Sequence, residues 1–420
     1  MMATLSAIFW GVLTFSILVI LHEGGHFAVA RSFGVKVHEF MVGLPGPAIR
    51  WQGKNTVFGV TAIPLGGYVR IAGMEPGPED PLLADVLACA TRRRRVTAAD
   101  VSEDLGIELS ESEALLATLA DWGALKPPSR DEDIYESLHA EESAADPKAL
   151  LDNARSITYR GLSMWKRIAV LSAGVVVNLA SAVLVFVLVL SLYGIPSQTL
   201  TVDVAASGGG AAAAGIMPGD TVTALDGKPL KVWQDLLDTL AALKPGQTVS
   251  VTVDRDGSPR SFDVTLGKSD SGTALLGVQV TIENIRLSPV AALKESFMWI
   301  GLVFKAIGGF FNPNTFQQSV GGSMSVVGVS VEVSKAVSRG PIDYAFLVAL
   351  LSLSLGVMNI LPIPPLDGGK VALELIEGVS RRQIPRKVAY GISLAGALLL
   401  FTFIGYLMYA DVVKLMVKGG

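Results

Sequence analysis

The 420-residue sequence predicts an α-helical integral membrane protein with four transmembrane helices, an α+β domain inserted outside the membrane and a small helical insert in the cytoplasm. Three observations carry this reading. Half of the residues are apolar and 17% are charged, giving a mean hydropathy of +0.49. That balance is too apolar for a soluble protein and too polar for helices in lipid alone. Four stretches reach the roughly 20 apolar residues needed to cross about 30 Å of hydrocarbon. The charges and turn-forming residues are gathered between those stretches.

The first stretch, 1–21, carries no charge before His22 and Glu23. The second, 168–202, is uncharged, with the amide Asn178 in its middle. The third, 344–366, ends in a proline-rich turn, and the fourth, 388–410, stops at Asp411. With their flanks they define transmembrane segments at 1–35, 164–195, 343–370 and 386–411. Lys305 interrupts a weaker stretch, 297–311, so residues 286–340 are expected at the membrane periphery. A cleavable signal peptide is the competing reading of the first stretch, and Ala28-Val29-Ala30 resembles a cleavage site. No Lys or Arg precedes Arg31, so the basic leader such a peptide needs is missing. Basic residues cluster instead at 31–70, at Arg160, Lys166 and Arg167, and from Lys370 to Lys387. The positive-inside rule then places those regions in the cytoplasm, and both termini and residues 197–340 outside.

Residues 36–76 form a β-rich, membrane-associated loop in which 56–63 precedes the glycine turn Gly66-Gly67. Residues 77–158 hold 18 Asp and Glu against 8 Lys and Arg. Two helical stretches beginning at Thr97 and Ser112, then a hairpin, resemble a small winged-helix module. Arg92 to Arg95 suggest nucleic acid, but the acidic excess opposes phosphate binding. A solvated face or an anionic lipid surface explains the run better, and a cytoplasmic protein partner is expected for the insert. The single cysteine, Cys89, excludes an internal disulfide. Residues 199–285 alternate strands with turns at Pro218-Gly219-Asp220, Asp226-Gly227 and Asp256-Gly257, around a helix over 230–243. This resembles a circularly permuted bacterial PDZ domain, a class that binds an extended chain at a sheet edge.

His22-Glu23-Gly24-Gly25-His26 carries the chemistry. Histidines at i and i+4 share one helix face and suit two ligands of a tetrahedral zinc, with Glu23 beside them as a proton acceptor. Ionisable groups beside an apolar span cost on the order of 2–3 kcal/mol each, which calls for a partner such as a metal. Zinc needs a third protein ligand. His38 and His139 are better explained as surface histidines. Asp367, in Asn359-Ile360-Leu361-Pro362-Ile363-Pro364-Pro365-Leu366-Asp367-Gly368-Gly369, lies on the same side as His22. Its prolines break the helix at membrane depth, where irregular backbone must line a buried or watered site.

HExGH after a first span, with NxLPxPxLDGG after a later one, resembles the site-2 protease family, and more closely the regulator-of-sigma-E protease group. Ile63-Pro64-Leu65-Gly66-Gly67-Tyr68-Val69 matches a further stretch of that family. The resemblance covers the spans, residues 27–73 and the PDZ region, but not the insert. It implies a zinc metalloendopeptidase of bacterial inner membranes, with His22, His26 and Asp367 on the metal and Glu23 in catalysis. Implied substrates are single-span membrane proteins, such as anti-sigma factors or remnant signal peptides, cut in or near the bilayer. Asn178 and Asn359 are candidates to hold the unwound substrate, and strands near 56–63 to pair with it. Three positions depart from the family: the run Ala173 to Asn178 lacks a glycine-proline pair, Lys370 stands where histidine is frequent, and a second glycine-proline pair is absent near Gly321-Gly322-Ser323. The alternative from another class is a non-catalytic membrane scaffold. It would be favoured by loss of Glu23 or Asp367, and both are present.

Overall fold

The computed structural model describes every residue except 1, 64–65, 76–77, 129–131, 139–145, 206–209, 270–271 and 419–420. His139 and two residues of the Ile63 to Val69 stretch therefore lie outside the described residues. The chain divides into two compact units, Met1–Phe186 with Lys294–Gly420, and Val187–Leu293.

The first unit opens with α1 (Met2–Ser32), a run of branched and aromatic apolar residues without proline. A four-stranded sheet follows, built from β1 (Val37–Val42), β2 (Ala48–Gln52), β3 (Val57–Thr61) and β4 (Gly67–Ile71). The strand order is β2-β3-β1-β4, with β1 parallel to β3 and antiparallel to β4. This corrects one expectation. The β-rich stretch 56–63 becomes β3, an interior strand bonded on both sides, and cannot offer an edge to another chain. The edges are β2 and β4. Ile49 and Trp51 on β2, and Ile63 just after β3, stand exposed, apolar side chains suited to lipid rather than water.

The insert is a small module with its own core. It contains α2 (Leu83–Arg93), β5 (Arg95–Val96), α3 (Ala98–Leu105), α4 (Leu109–Trp122), β6 (Leu125–Lys126), β7 (Tyr135–Ser137) and α5 (Pro147–Ser156). Thr97 and Asp100 form a capping box at the start of α3, and Gly106 closes it in the left-handed region. The strands order as β5-β7-β6, and Trp122, Leu83, Leu87 and Leu116 fill the core. Arg93 pairs with Asp100 and Asp104, and Arg95 with Glu132 and Glu136, so part of the arginine run is neutralised within the insert.

The second long helix, α6 (Met164–Leu192), stops well before Val202, where the uncharged stretch ends. Gly194, at φ +88°, turns the chain, and the β-branched run beyond it forms β8 (Ile195–Ala205). The second unit continues with α7 (Ala211–Ala214), β9 (Thr221–Leu225), β10 (Lys228–Pro229), α8 (Trp233–Ala241), β11 (Thr248–Arg255) and β12 (Ser258–Thr265). β13 (Gly267–Lys268), β14 (Ala274–Leu275) and β15 (Val278–Ile285) complete it. Its main sheet runs β12-β11-β9-β8-β15, with Leu236 of α8 packed into the core.

The chain then forms α9 (Pro289–Gly308), α10 (Phe316–Gly322), α11 (Val326–Arg339), α12 (Pro341–Ile360), α13 (Asp367–Ser380) and α14 (Arg386–Lys418). The third apolar stretch thus ends at Ile360, because the prolines that follow cannot continue a helix. Four helices are long and apolar enough to cross a membrane: Thr4–Ser32, Met164–Leu192, Pro341–Ile360 and Arg386–Val413.

Candidate metal centre

His22 and His26 lie one turn apart on α1, and Asp367 is the first residue of α13. A carboxylate at a helix N-terminus meets unpaired N–H groups and the positive end of the helix dipole. Gly368 and Gly369 let this turn fold back on itself, since a Cβ at either would strike the backbone of Ile360 or Pro364. The three side chains converge. Asp367 Oδ2 is 2.9 Å from His22 Nε2 and 3.1 Å from His26 Nε2, and the two Nε2 atoms are 3.4 Å apart. All three residues are buried, and their donor atoms lie within 4.8 Å of one another. Lys370 reaches Asp367 Oδ1 at 3.3 Å, leaving Oδ2 to the histidines.

Residues behind the histidines fix their orientation. His26 Nδ1 donates to the carbonyl of Val170 at 2.7 Å, which leaves Nε2 as a bare lone pair. His22 Nδ1 lies 3.2 Å from the amide nitrogen of Asn178, whose Oδ1 is buried without a hydrogen-bond partner. Half a turn of that amide gives Oδ1 the Nδ1–H of His22 and frees His22 Nε2 in the same way. Two bare imidazole nitrogens and a carboxylate oxygen at one point are a zinc donor set, with a fourth position left for water or substrate. The residues present fit that metal.

Two glycines that sequence reasoning passed over make room for this. A Cβ on Gly174 of α6 would fall onto the rings of His22 and His26. A Cβ on Gly25 would come within 2.6 Å of the carbonyl oxygen of Ala173, so α1 and α6 approach closely only because both positions lack side chains. Their signal was the pair of small residues Ala173-Gly174 in an otherwise branched apolar run.

The other expected site residues fall as follows. Glu23 is half-buried beside the histidines, with no hydrogen-bond or ion-pair partner among the described residues. Gly67, the first residue of β4, packs against Val19 and faces the Glu23 side chain. Asn178 belongs to the cluster. Asn359 does not; its amide donates to the carbonyl of Leu355 on its own helix at 3.0 Å. His38 is tied to Asp121 of the insert, away from this cluster.

A family model for peptidase family M50 matches residues 10–403. The chain belongs to that family. This is the site-2 protease family its motifs resemble, whose members are membrane-embedded zinc metalloproteases. Among relatives of this M50 peptidase, a zinc metalloprotease RasP of Geobacillus kaustophilus is 26% identical, with 99% of each chain covered. A probable protease eep of Enterococcus faecalis is 27% identical, covering 94% of this chain and 95% of that one. Among solved structures, the PDZ domain of an SdrC-like protein from Listeria monocytogenes matches 21% of this chain and 90% of its own, at 22% identity and a TM-score of 0.18.

Proposed function

We propose that this M50 peptidase hydrolyses peptide bonds in or near the transmembrane segments of single-span membrane proteins, with His22, His26 and Asp367 as zinc ligands and Glu23 as general base. The observation that carries the proposal is the meeting of those three donor groups, from α1 and α13, between apolar spans. When bound, zinc supplies a Lewis acid that acidifies water and polarises the scissile carbonyl. Glu23, unpaired among the described residues, takes the proton of the attacking water and returns it to the leaving amine. Asn178 and the Val170 carbonyl hold the two imidazoles in the ligand tautomer.

A peptide bond within a helix is hidden by its own hydrogen bonds, so the substrate has to be extended before it is cut. The outer edge of β4 supports that step. It has no strand partner among the described residues, and it begins at Gly67, facing Glu23. Strand addition there draws the substrate backbone past the base. The contact with His22 favours an orienting role for Asn178, which leaves substrate contact to Asn359.

The basic flanks support an orientation with the metal centre toward the cytoplasm and both termini outside. The glycine–aspartate turns and the sheet with its packed helix support a PDZ domain in the second unit, outside the membrane. The helix and strand order of the insert supports a winged-helix-like module that docks a cytoplasmic protein. Substrates of the anti-sigma-factor or remnant-signal-peptide kind fit this arrangement. The test is cleavage of a single-span substrate by purified protein with and without a chelator. Cleavage abolished by the chelator and restored by zinc supports the proposal; cleavage indifferent to metal removal contradicts it.

A further inference from the structure

A cavity of about 360 Å³ lies where the insert meets the four-stranded sheet. Its polar lining is Lys36 and His38 from β1 and the residue before it, Arg70 from β4, Asp121 from the end of α4, Lys126 from β6 and Tyr135 from β7. The rest of the wall is alanine, leucine and proline. Within this lining, Lys36, Arg70 and Lys126 stand with one carboxylate, Asp121.

That carboxylate is already engaged. Asp121 Oδ2 accepts the Gly73 N–H at 2.8 Å, and Oδ1 lies 3.4 Å from His38. The nearest carboxylate oxygens to Arg70 are 3.6 Å away on Asp121 and 3.7 Å on Glu39, too far for direct hydrogen bonds. Lys36 has no carboxylate partner among the described residues. Lys126 has Glu136 at 3.3 Å on its exposed side. His38 adds no charge. Burial, with Arg70 and Lys36 nearby, holds it below the usual imidazole range, and its Nε2–H is spent on the Asp121 main-chain oxygen at 2.6 Å.

We propose that this cavity binds a phosphate-bearing small molecule of nucleotide size. The volume falls within the roughly 300–1,000 Å³ of small-molecule sites. The under-paired guanidinium fork and two ammonium groups match the oxygens of a phosphate or diphosphate. The Tyr135 ring and the apolar wall suit an uncharged ring. A nucleic acid is excluded by the insert itself, whose 18 acidic residues against 8 basic ones repel a polyphosphate chain. Because cations come from both sides of the junction, the ligand clamps the insert onto β4, the strand whose first residue faces Glu23. The inference is independent of the metal centre.

The test is calorimetric titration of the full-length protein with pyrophosphate, AMP and ATP, in detergent and in nanodiscs with and without phosphatidylglycerol. Saturable binding of at least one anion is expected, weakened about tenfold or more by Lys36→Ala and separately by Lys126→Ala. Lys36→Arg should retain it, as should Lys231→Ala in the second unit, and melting temperatures of all variants should match the parent. Competition by phosphatidylglycerol would assign the phosphate to a lipid headgroup; indifference to it would assign a soluble ligand. Absence of saturable binding for all three anions, or binding unchanged in both alanine variants, overturns the proposal.

Discussion

His22 Nε2 lies 2.9 Å from Asp367 Oδ2 although 345 positions of the chain separate the two residues. The contact ties the first apolar helix to the turn after the third. A buried imidazole–carboxylate pair is by itself a weak reason to hold polar groups among apolar spans; a metal is a strong one. Asp367→Ala should therefore bind zinc far more weakly while keeping its helical circular dichroism. Full zinc occupancy in that variant, measured by atomic absorption, would show that the third ligand is elsewhere.

Asn178→Leu keeps the side-chain volume and removes the partner of His22. Loss of an outer-sphere partner typically costs 10–100-fold in metal affinity or activity, about the size expected here. Zinc competition with a chelating dye measures it, and a change of less than about twofold would dissociate Asn178 from the site.

Gly24 and Gly174 make a matched pair. A Cβ on Gly24 meets nothing within 4 Å, whereas one on Gly174 lands on both imidazoles. Gly24→Ala should be neutral or stabilising by up to about 1 kcal/mol, the usual gain in a helix interior. Gly174→Ala should lose zinc while remaining folded. Equal zinc content in the two variants would contradict the packing described.

These glycines also mark the limit of what the sequence made legible. His22, Glu23, His26 and Asp367 stand out because ionisable groups and a proline-broken turn are costly beside apolar helices, and because i and i+4 share a face. Gly174 was marked only by its small neighbour Ala173 and the Val170 carbonyl by nothing, since the importance of both comes from an approach between α1 and α6. The order of the first sheet was likewise hidden. A β-rich composition predicts a strand within 56–63, but which strands lie at the edges depends on pairing between distant segments, and β3 proved interior. The uncharged stretch that marks α6 runs on to Val202, but past Gly194 it continues as a strand rather than as helix.

In the second unit, Arg255 holds buried Asp220 with two hydrogen bonds of 2.6 and 2.7 Å. The guanidinium depresses the Asp220 carboxyl below its ordinary value. A carboxyl with a lowered folded pKa stabilises the fold above its unfolded value of about 3.9 and loses that contribution as pH falls through the folded one. Hydrogen exchange of β9 and β11 in the full-length protein should accelerate below about pH 4. Arg255→Met should raise exchange of these strands at neutral pH, because Asp220 loses both of its guanidinium hydrogen bonds. Unchanged protection in Arg255→Met would show that the pair contributes nothing.

Orientation can be read by thiol labelling, though native Cys89 cannot serve. It is buried, and burial together with Asp104 pushes its thiol up to about 11. Ser258 and Ser110 are exposed. In intact cells an impermeant reagent should label Ser258→Cys and spare Ser110→Cys. The reverse pattern would invert the proposed topology.

The central claim is that Glu23 is the base of a metal-dependent peptidase, and one paired measurement on Glu23→Gln tests it most directly. The substitution keeps the shape of the side chain and leaves His22, His26 and Asp367 in place, so zinc content should equal that of the parent. Only the proton acceptor is lost. General-base catalysis is typically worth 10²–10⁴-fold, so cleavage of a single-span substrate should slow by at least about 100-fold while the uncut substrate still binds. Cleavage at near the parent rate with zinc retained would contradict the account.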